Sequence, residues 1–201
     1  MFLDRLFGRT GPRAAAEAQY DTAVAQARSV VFYRDLGVPD TVDGRFDMIV
    51  LHVFMILHRM KREGEGGRRT GQALFDRMFA DMDRSLREMG VGDLSVGKQV
   101  KRMGEAFYGR VKVYDAAVAA VAGDGGAALN EAIARNVFGI EAAGAARPPE
   151  ATLQAIAAYV MASIGVLDAM ATQDILDGRV AFAAVPATRA DAEDASDAGE
   201  G

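Results

Sequence analysis

The chain has 201 residues, half of them apolar and a quarter charged, with a formal net charge of −5. That length suits one substantial hydrophobic core rather than two large domains, and the charge has the wrong sign for a general nucleic-acid binder, so no specific nucleic acid is expected as a partner. No cysteine is present, which excludes disulfides, thiolate metal sites, iron–sulfur clusters and thiol nucleophiles together.

Residues 1–13 form an amphipathic opening in which Phe2, Leu3, Leu6 and Phe7 share a helical face beside Arg5, Arg9 and Arg13. This pattern suits either contact with an anionic lipid surface or a terminal helix packed on the domain. Asp4 and Arg5 interrupt what would have to be a signal peptide's apolar stretch, so export is not expected. A helical domain is predicted over 14–187. Its first helix should run from Ala14 to Leu36 and stop at Gly37, in a left-handed cap position, and Pro39, which cannot continue a helix.

Asp43 can cap a second helix from Gly44 to about Arg62, with Phe46, Val50, Val53, Leu57 and Met60 on one stripe and Met48, His52 and Met55 on the next. Apolar on more than one side, this helix should lie centrally. Its apolar run, Met48 to Leu57, is well short of the roughly 20 residues that span a bilayer. A glycine-rich loop over 63–67 should follow, then a third helix from the cap Thr70 to Met89, with Phe75, Phe79, Met82 and Leu86 inward.

A fourth helix is expected from Ser95 to about Ala122, burying Val100, Met103, Phe107, Val111, Tyr114, Val118 and Val121 while Tyr108 sits among charges. Two more helices are expected over 127–137 and 150–176. From Thr188 the chain is acids and small residues with nothing to bury, and 188–201 should be a disordered acidic tail. The predicted class is therefore all-α, a single domain of about six helices.

The chemistry expected of such a sequence is slight. His52 and His58, the only imidazoles, lie six residues apart and diverge by about 120° on one helix, so they cannot share a metal. No metal, cofactor or catalytic residue is expected, and His52 is read as a core histidine. The loop Gly64-Glu65-Gly66-Gly67-Arg68-Arg69 fails as a phosphate cradle, because Arg69 stands where a glycine is needed and a helix precedes the loop. Two basic clusters stand out instead: Arg59, Lys61, Arg62, Arg68 and Arg69, and then Lys98, Lys101, Arg102, Arg110 and Lys112. If the second and fourth helices pack side by side, these clusters could border one surface anchored by Tyr108.

The series Tyr33-Arg34-Asp35-Leu36-Gly37-Val38-Pro39-Asp40-Thr41, Gly44-Arg45-Phe46-Asp47, Leu51-His52 and His58-Arg59-Met60 resembles the ubiquinol–cytochrome c chaperone family. Arg87-Glu88-Met89-Gly90-Val91 and Glu105-Ala106-Phe107-Tyr108-Gly109-Arg110 continue it in the same order. Echoes at Ala134-Arg135-Asn136 and Gly178-Arg179-Val180-Ala181-Phe182 extend it toward the end. The resemblance implies a non-enzymatic assembly factor for respiratory complex III that binds newly made cytochrome b, with Gly37, Pro39, Asp40, Phe46, His52 and Phe107 as structural motif residues. Mitochondrial members also cooperate with a small helical partner and the ribosome.

The client or partner surface expected from both lines is Arg59, Arg62, Lys98, Lys101, Arg102, Tyr108 and Arg110. Phe2, Leu3, Arg5, Leu6, Phe7 and Arg9 would touch lipid, and the protein would be cytoplasmic, peripheral on the inner face of the membrane. With no recognisable transit peptide it looks like a bacterial member. Ten methionines allow an adaptable Met-lined client groove or a Met-rich core. The competing readings are a small-ligand carrier or enzyme with an apolar pocket near His52, its mouth marked by Tyr108 or Asp40, and a ribosome-docking factor.

Overall fold

In the computed structural model residues 11–140 and 146–186 are described, and they form helices joined by turns, with no strand among them. Eight helices follow in order: α1 (Pro12–Ala27), α2 (Val30–Arg34), α3 (Val42–Met60), α4 (Gly64–Glu88), α5 (Asp93–Asp124), α6 (Ala127–Asn136), α7 (Glu150–Ala169) and α8 (Thr172–Leu176). The all-α prediction holds. Phe2, Leu3, Arg5, Leu6, Phe7 and Arg9, and the acidic stretch 188–201, lie outside the described residues.

α3 is the axle. Every residue from Phe46 to Ile56 is buried, because α1, α4, α5 and α7 all pack against it. A helix apolar all round can be stable only when enclosed in this way. It starts slightly earlier than the sequence suggests: Thr41, not Asp43, is the cap, its Oγ1 accepting from the Gly44 N–H at 3.1 Å, while Asp43 sits in the first turn. Gly44 is required here, since a Cβ would fall 2.1 Å from the Pro39 carbonyl oxygen.

Three other boundaries differ from expectation. The predicted first helix breaks at Arg28 and Ser29 into α1 and α2, which turns Phe32 into the core beside His52. The glycine-rich 64–67 stretch is the first turn of α4 and not a loop. A Cβ at Gly67 would lie 2.2 Å from the Met60 carbonyl oxygen, so glycine lets α4 start directly against the end of α3. The last predicted helix divides at Met170 and Ala171 into α7 and α8.

α7 is long and apolar enough, by length and composition, to cross a membrane. Its Leu153, Ile156, Val160, Ile164 and Leu167 are core residues, packed on α3 and α6. After α8, residues 179–186 run without helix across the face made by α1 and α7. Gln26 Nε2 donates to the Ala183 carbonyl at 3.3 Å, and the Ala183 N–H donates to Ser163 Oγ at 3.2 Å. Phe182 thereby reaches the His52 ring, 5.0 Å between centroids.

Candidate functional site

His52 is fully buried and surrounded by the rings of Phe32, Tyr159 and Phe182. Its Nδ1 lies 2.7 Å from the Met48 carbonyl and its Nε2 2.8 Å from Tyr159 Oη. A carbonyl can only accept, so Nδ1 carries the proton and Tyr159 donates to Nε2. Burial drives the imidazole down to about 4, with the Met48 hydrogen bond acting weakly the other way. This histidine is a neutral core pin. The pocket expected around it is filled by aromatic side chains, and its expected mouth residues Tyr108 and Asp40 border two separate depressions elsewhere.

The two basic clusters do not merge into one surface. Arg59 is buried and points at α7, donating from Nε to the Leu167 carbonyl at 3.0 Å and from Nη2 to the Met170 carbonyl at 3.3 Å. Glu63 neutralises it. Arg62 pairs with Asp168 at the same end of α7. These two cations close off the C-terminus of α7, whose last carbonyls have no partner within the helix, and Arg59 in particular is structural. His58 is half-buried against Asp115 at 2.9 Å, and Lys61 reaches the same carboxylate.

Lys98, Lys101 and Arg102 are exposed on α5, Lys101 standing 3.9 Å from Glu105. Arg110 turns inward toward Asp47, 2.8 Å from Oδ1, and over the Phe46 ring at 5.8 Å. Arg102 and Arg110 share a cleft of about 680 Å³ between the start of α3, the middle of α5 and the end of α6. Asp47 is buried there, and desolvation outweighs the Arg110 charge to push its carboxyl up to about 7, with Asp43 adding to the rise.

Tyr108 is 61 % exposed and lies elsewhere, on the edge of an apolar groove of about 230 Å³ between α3, α4 and α5. Leu57, Phe75, Phe107 and Val111 line it, the backbone of Gly67 and Gly71 forms one bank, and Lys61 and Arg68 stand at its rim. Tyr108 leans on Phe75 and Phe107, with ring centroids 5.3 and 5.7 Å away. The phenol is thus held by aromatic contacts while most of its surface faces solvent. The methionines do not supply this groove: Met48, Met55, Met78 and Met82 are core, and Met60 contributes only to the floor.

Sequence reasoning found Tyr108 through its position among charges, but missed Phe75 and Val111 as groove residues because their spacing marks them equally well as core. It also missed the pairing of Asp47 with Arg110. The one available signal was a carboxylate flanked by Phe46, Met48 and Ile49 in a helix otherwise apolar on all sides.

These elements define a helical domain built around one enclosed helix, whose concave surfaces include an apolar groove beside Tyr108 and a cleft of mixed character beside Asp47 and Arg110. The chain belongs to the ubiquinol-cytochrome C chaperone family, whose model matches residues 34–182. It is 29% identical over 177 residues to the human ubiquinol-cytochrome c reductase complex assembly factor 1, covering 84% of this chain and 56% of that protein. It is 28% identical over 167 residues to the mitochondrial protein CBP3 of Saccharomyces cerevisiae, covering 82% and 48%. The chain therefore spans about half the length of these relatives. A crystal structure of the Cbp3 homolog from Brucella abortus superposes with a TM-score of 0.74 at 36% identity, covering 92% of this chain and 98% of that one.

Proposed function

We propose that this protein is a non-enzymatic assembly chaperone for ubiquinol–cytochrome c reductase, respiratory complex III, and that it holds an apolar segment of newly made cytochrome b in the groove between α3, α4 and α5. The observation that carries the reading is the exposed Tyr108, seated on Phe75 and Phe107 at the edge of that groove, in a chain whose residues 34–182 match the chaperone family. An aromatic anchor beside an apolar trough with a polar rim is the composition that concentrates binding energy in protein interfaces. Lys61 and Arg68 at the rim suit the polar end of an apolar client helix.

A client destined for the bilayer argues for a location at the cytoplasmic face of the inner membrane. The amphipathic residues 1–13 would supply a weak, reversible lipid contact. Flotation with anionic vesicles should depend on Phe2, Leu3, Leu6 and Phe7, and unchanged flotation after their replacement by serine counts against this contact.

The client reading is tested by capture from native membranes with tagged protein. Wild type should retain cytochrome b, and Tyr108→Ala, folded by circular dichroism, should retain at least about tenfold less, the loss of roughly 2 kcal/mol typical of a central aromatic anchor. Equal retention by the variant removes the groove from the reading. Absence of every complex III subunit removes the reading itself, and salt-sensitive recovery of ribosomes in their place would support the docking-factor alternative.

A further inference from the structure

Among the described residues, five buried side-chain polar atoms have no hydrogen-bond partner, and four of them belong to one neighbourhood: Asp47 Oδ1, Arg110 Nε, Tyr114 Oη and Asn136 Nδ2. Asp47, Arg110 and Asn136 line the cleft between α3, α5 and α6, and Tyr114 Oη stands behind them, near the charges of Asp47 and Arg110 and within reach of the Asn136 side-chain amide but not aligned with it as a full hydrogen bond. Arg110 is 2.8 Å from Asp47 Oδ1, yet no N–H is aligned on that oxygen. Native proteins leave few such atoms, because a buried polar atom left bare loses its hydration with nothing in return. Four together beside a cleft of about 680 Å³, within the range of small-molecule sites, call for a polar guest.

The chemistry of the lining narrows the guest. Arg110 Nε and Asn136 Nδ2 can only donate. Arg102, at the mouth, makes no ion pair or hydrogen bond among the described residues, and Arg135 stands on the far side. Acids are present as well: Asp43, Asp47 and Glu105. Glu105 faces Lys101, and the burial that raises Asp47 lessens the repulsion an incoming anion would meet. Val42, Phe46, Leu86 and Met103 complete the walls. Donors, acids and apolar side chains thus share one lining.

We propose that the α3–α5–α6 cleft is a binding site for a small amphipathic oxyanion, a carboxylate or phosphate on an apolar body, held through Arg110 Nε, Asn136 Nδ2 and Arg102. The site is separate from the Tyr108 groove and shares no lining residue with it, so it stands or falls independently of client capture.

The full chain is titrated with octanoate and with octyl phosphate while the Asn136 side-chain amide and Arg110 Nε–H signals are followed by nitrogen-edited NMR, with octanol and inorganic phosphate alongside. Octanoate, octyl phosphate or both should give saturable shifts at both signals, and the tighter of the two identifies the oxyanion. Octanol and inorganic phosphate should bind at least about tenfold more weakly, as expected when a charge-assisted hydrogen bond or the apolar contact is missing. Asn136→Leu should weaken binding about tenfold; Arg102→Ala, exposed and outside the core, should weaken it with no effect on folding, and Tyr108→Ala should leave it unchanged. Equal binding of octanol, equal binding of inorganic phosphate (an adventitious ion only), no saturation by either amphiphile, or binding indifferent to both cleft variants overturns the proposal.

Discussion

Two buried ionisable groups in this domain are shifted in opposite directions, and their effects on stability should oppose one another over the same pH range. His52 falls from 6.5 to about 4. Its folded-state value is depressed, so its contribution is fully present above about pH 6.5 and is lost as pH falls through 4; at 1.36 kcal/mol per unit the whole change is roughly 3 kcal/mol. Asp47 rises from 3.8 to about 7. Its contribution is fully present below about pH 4 and is lost as pH rises through 7, by roughly 4 kcal/mol. Between about pH 4.5 and 6.5 the two slopes nearly cancel in the wild type. Single variants should expose them. His52→Gln keeps an acceptor for Tyr159 but cannot titrate, so its stability relative to wild type should fall by roughly 2 kcal/mol as pH rises over that interval. Asp47→Asn should shift relative to wild type by a similar amount in the opposite sense, becoming relatively more stable as pH rises. Urea unfolding followed by far-ultraviolet circular dichroism at the two pH values measures both, and taking each variant against wild type removes the exposed carboxylates common to all. Differences that stay constant with pH within about 0.5 kcal/mol, the additivity limit for such comparisons, would refute the assigned protonation states.

Further expectations concern the frame around the site. Arg59→Ala leaves the half-buried Glu63 without its cation and takes the guanidinium away from the Leu167 and Met170 carbonyls; it should cost about 2–4 kcal/mol in urea unfolding, whereas Arg102→Ala should stay within about 0.5 kcal/mol. Gly67→Ala should destabilise by about 1–3 kcal/mol, because its Cβ meets the Met60 carbonyl. Gly109→Ala, in the interior of α5 where an added Cβ would meet nothing within 4 Å, should instead stabilise by up to about 1 kcal/mol through helix propensity alone, and thermal unfolding separates the two.

Periodicity made most of the fold legible. The stripe through Phe46, Val50 and Val53, with apolar residues on the neighbouring face as well, identified α3 as the enclosed helix, and Gly37, at φ 65°, ends the α1–α2 region as read. What failed to show were features set by partners distant in sequence. The 64–67 glycines look like a loop because their local propensity is poor; they are helical because the end of α3 approaches too closely for side chains. The break at Arg28 and Ser29 has no glycine or proline to announce it. Arg59 reads as a surface cation in any local window, and its burial depends on carbonyls 108 and 111 residues away. Asp47, Arg110 and Asn136 lie on three helices with no shared spacing, so neither their convergence nor their unpaired atoms could be read from the chain alone.

The fate of the cations bears on how a client would be recognised. The sequence invites a charged docking surface, but Arg59 and Arg62 are taken by Glu63 and Asp168, Lys61 by Asp115 and Arg68 by Glu65. Around the Tyr108 groove the positive charges therefore have partners already, and little net attraction is left for an acidic target. Capture there should rest on burial of Tyr108, Phe75, Leu57 and Val111, which salt does not screen. Client retention should accordingly change by less than about threefold between low and physiological ionic strength, while any association governed by steering of opposite charges would drop steeply over the same range. A strong loss of cytochrome b with added salt would move the recognition surface away from the groove and toward the exposed Lys98, Lys101 and Arg102 face of α5.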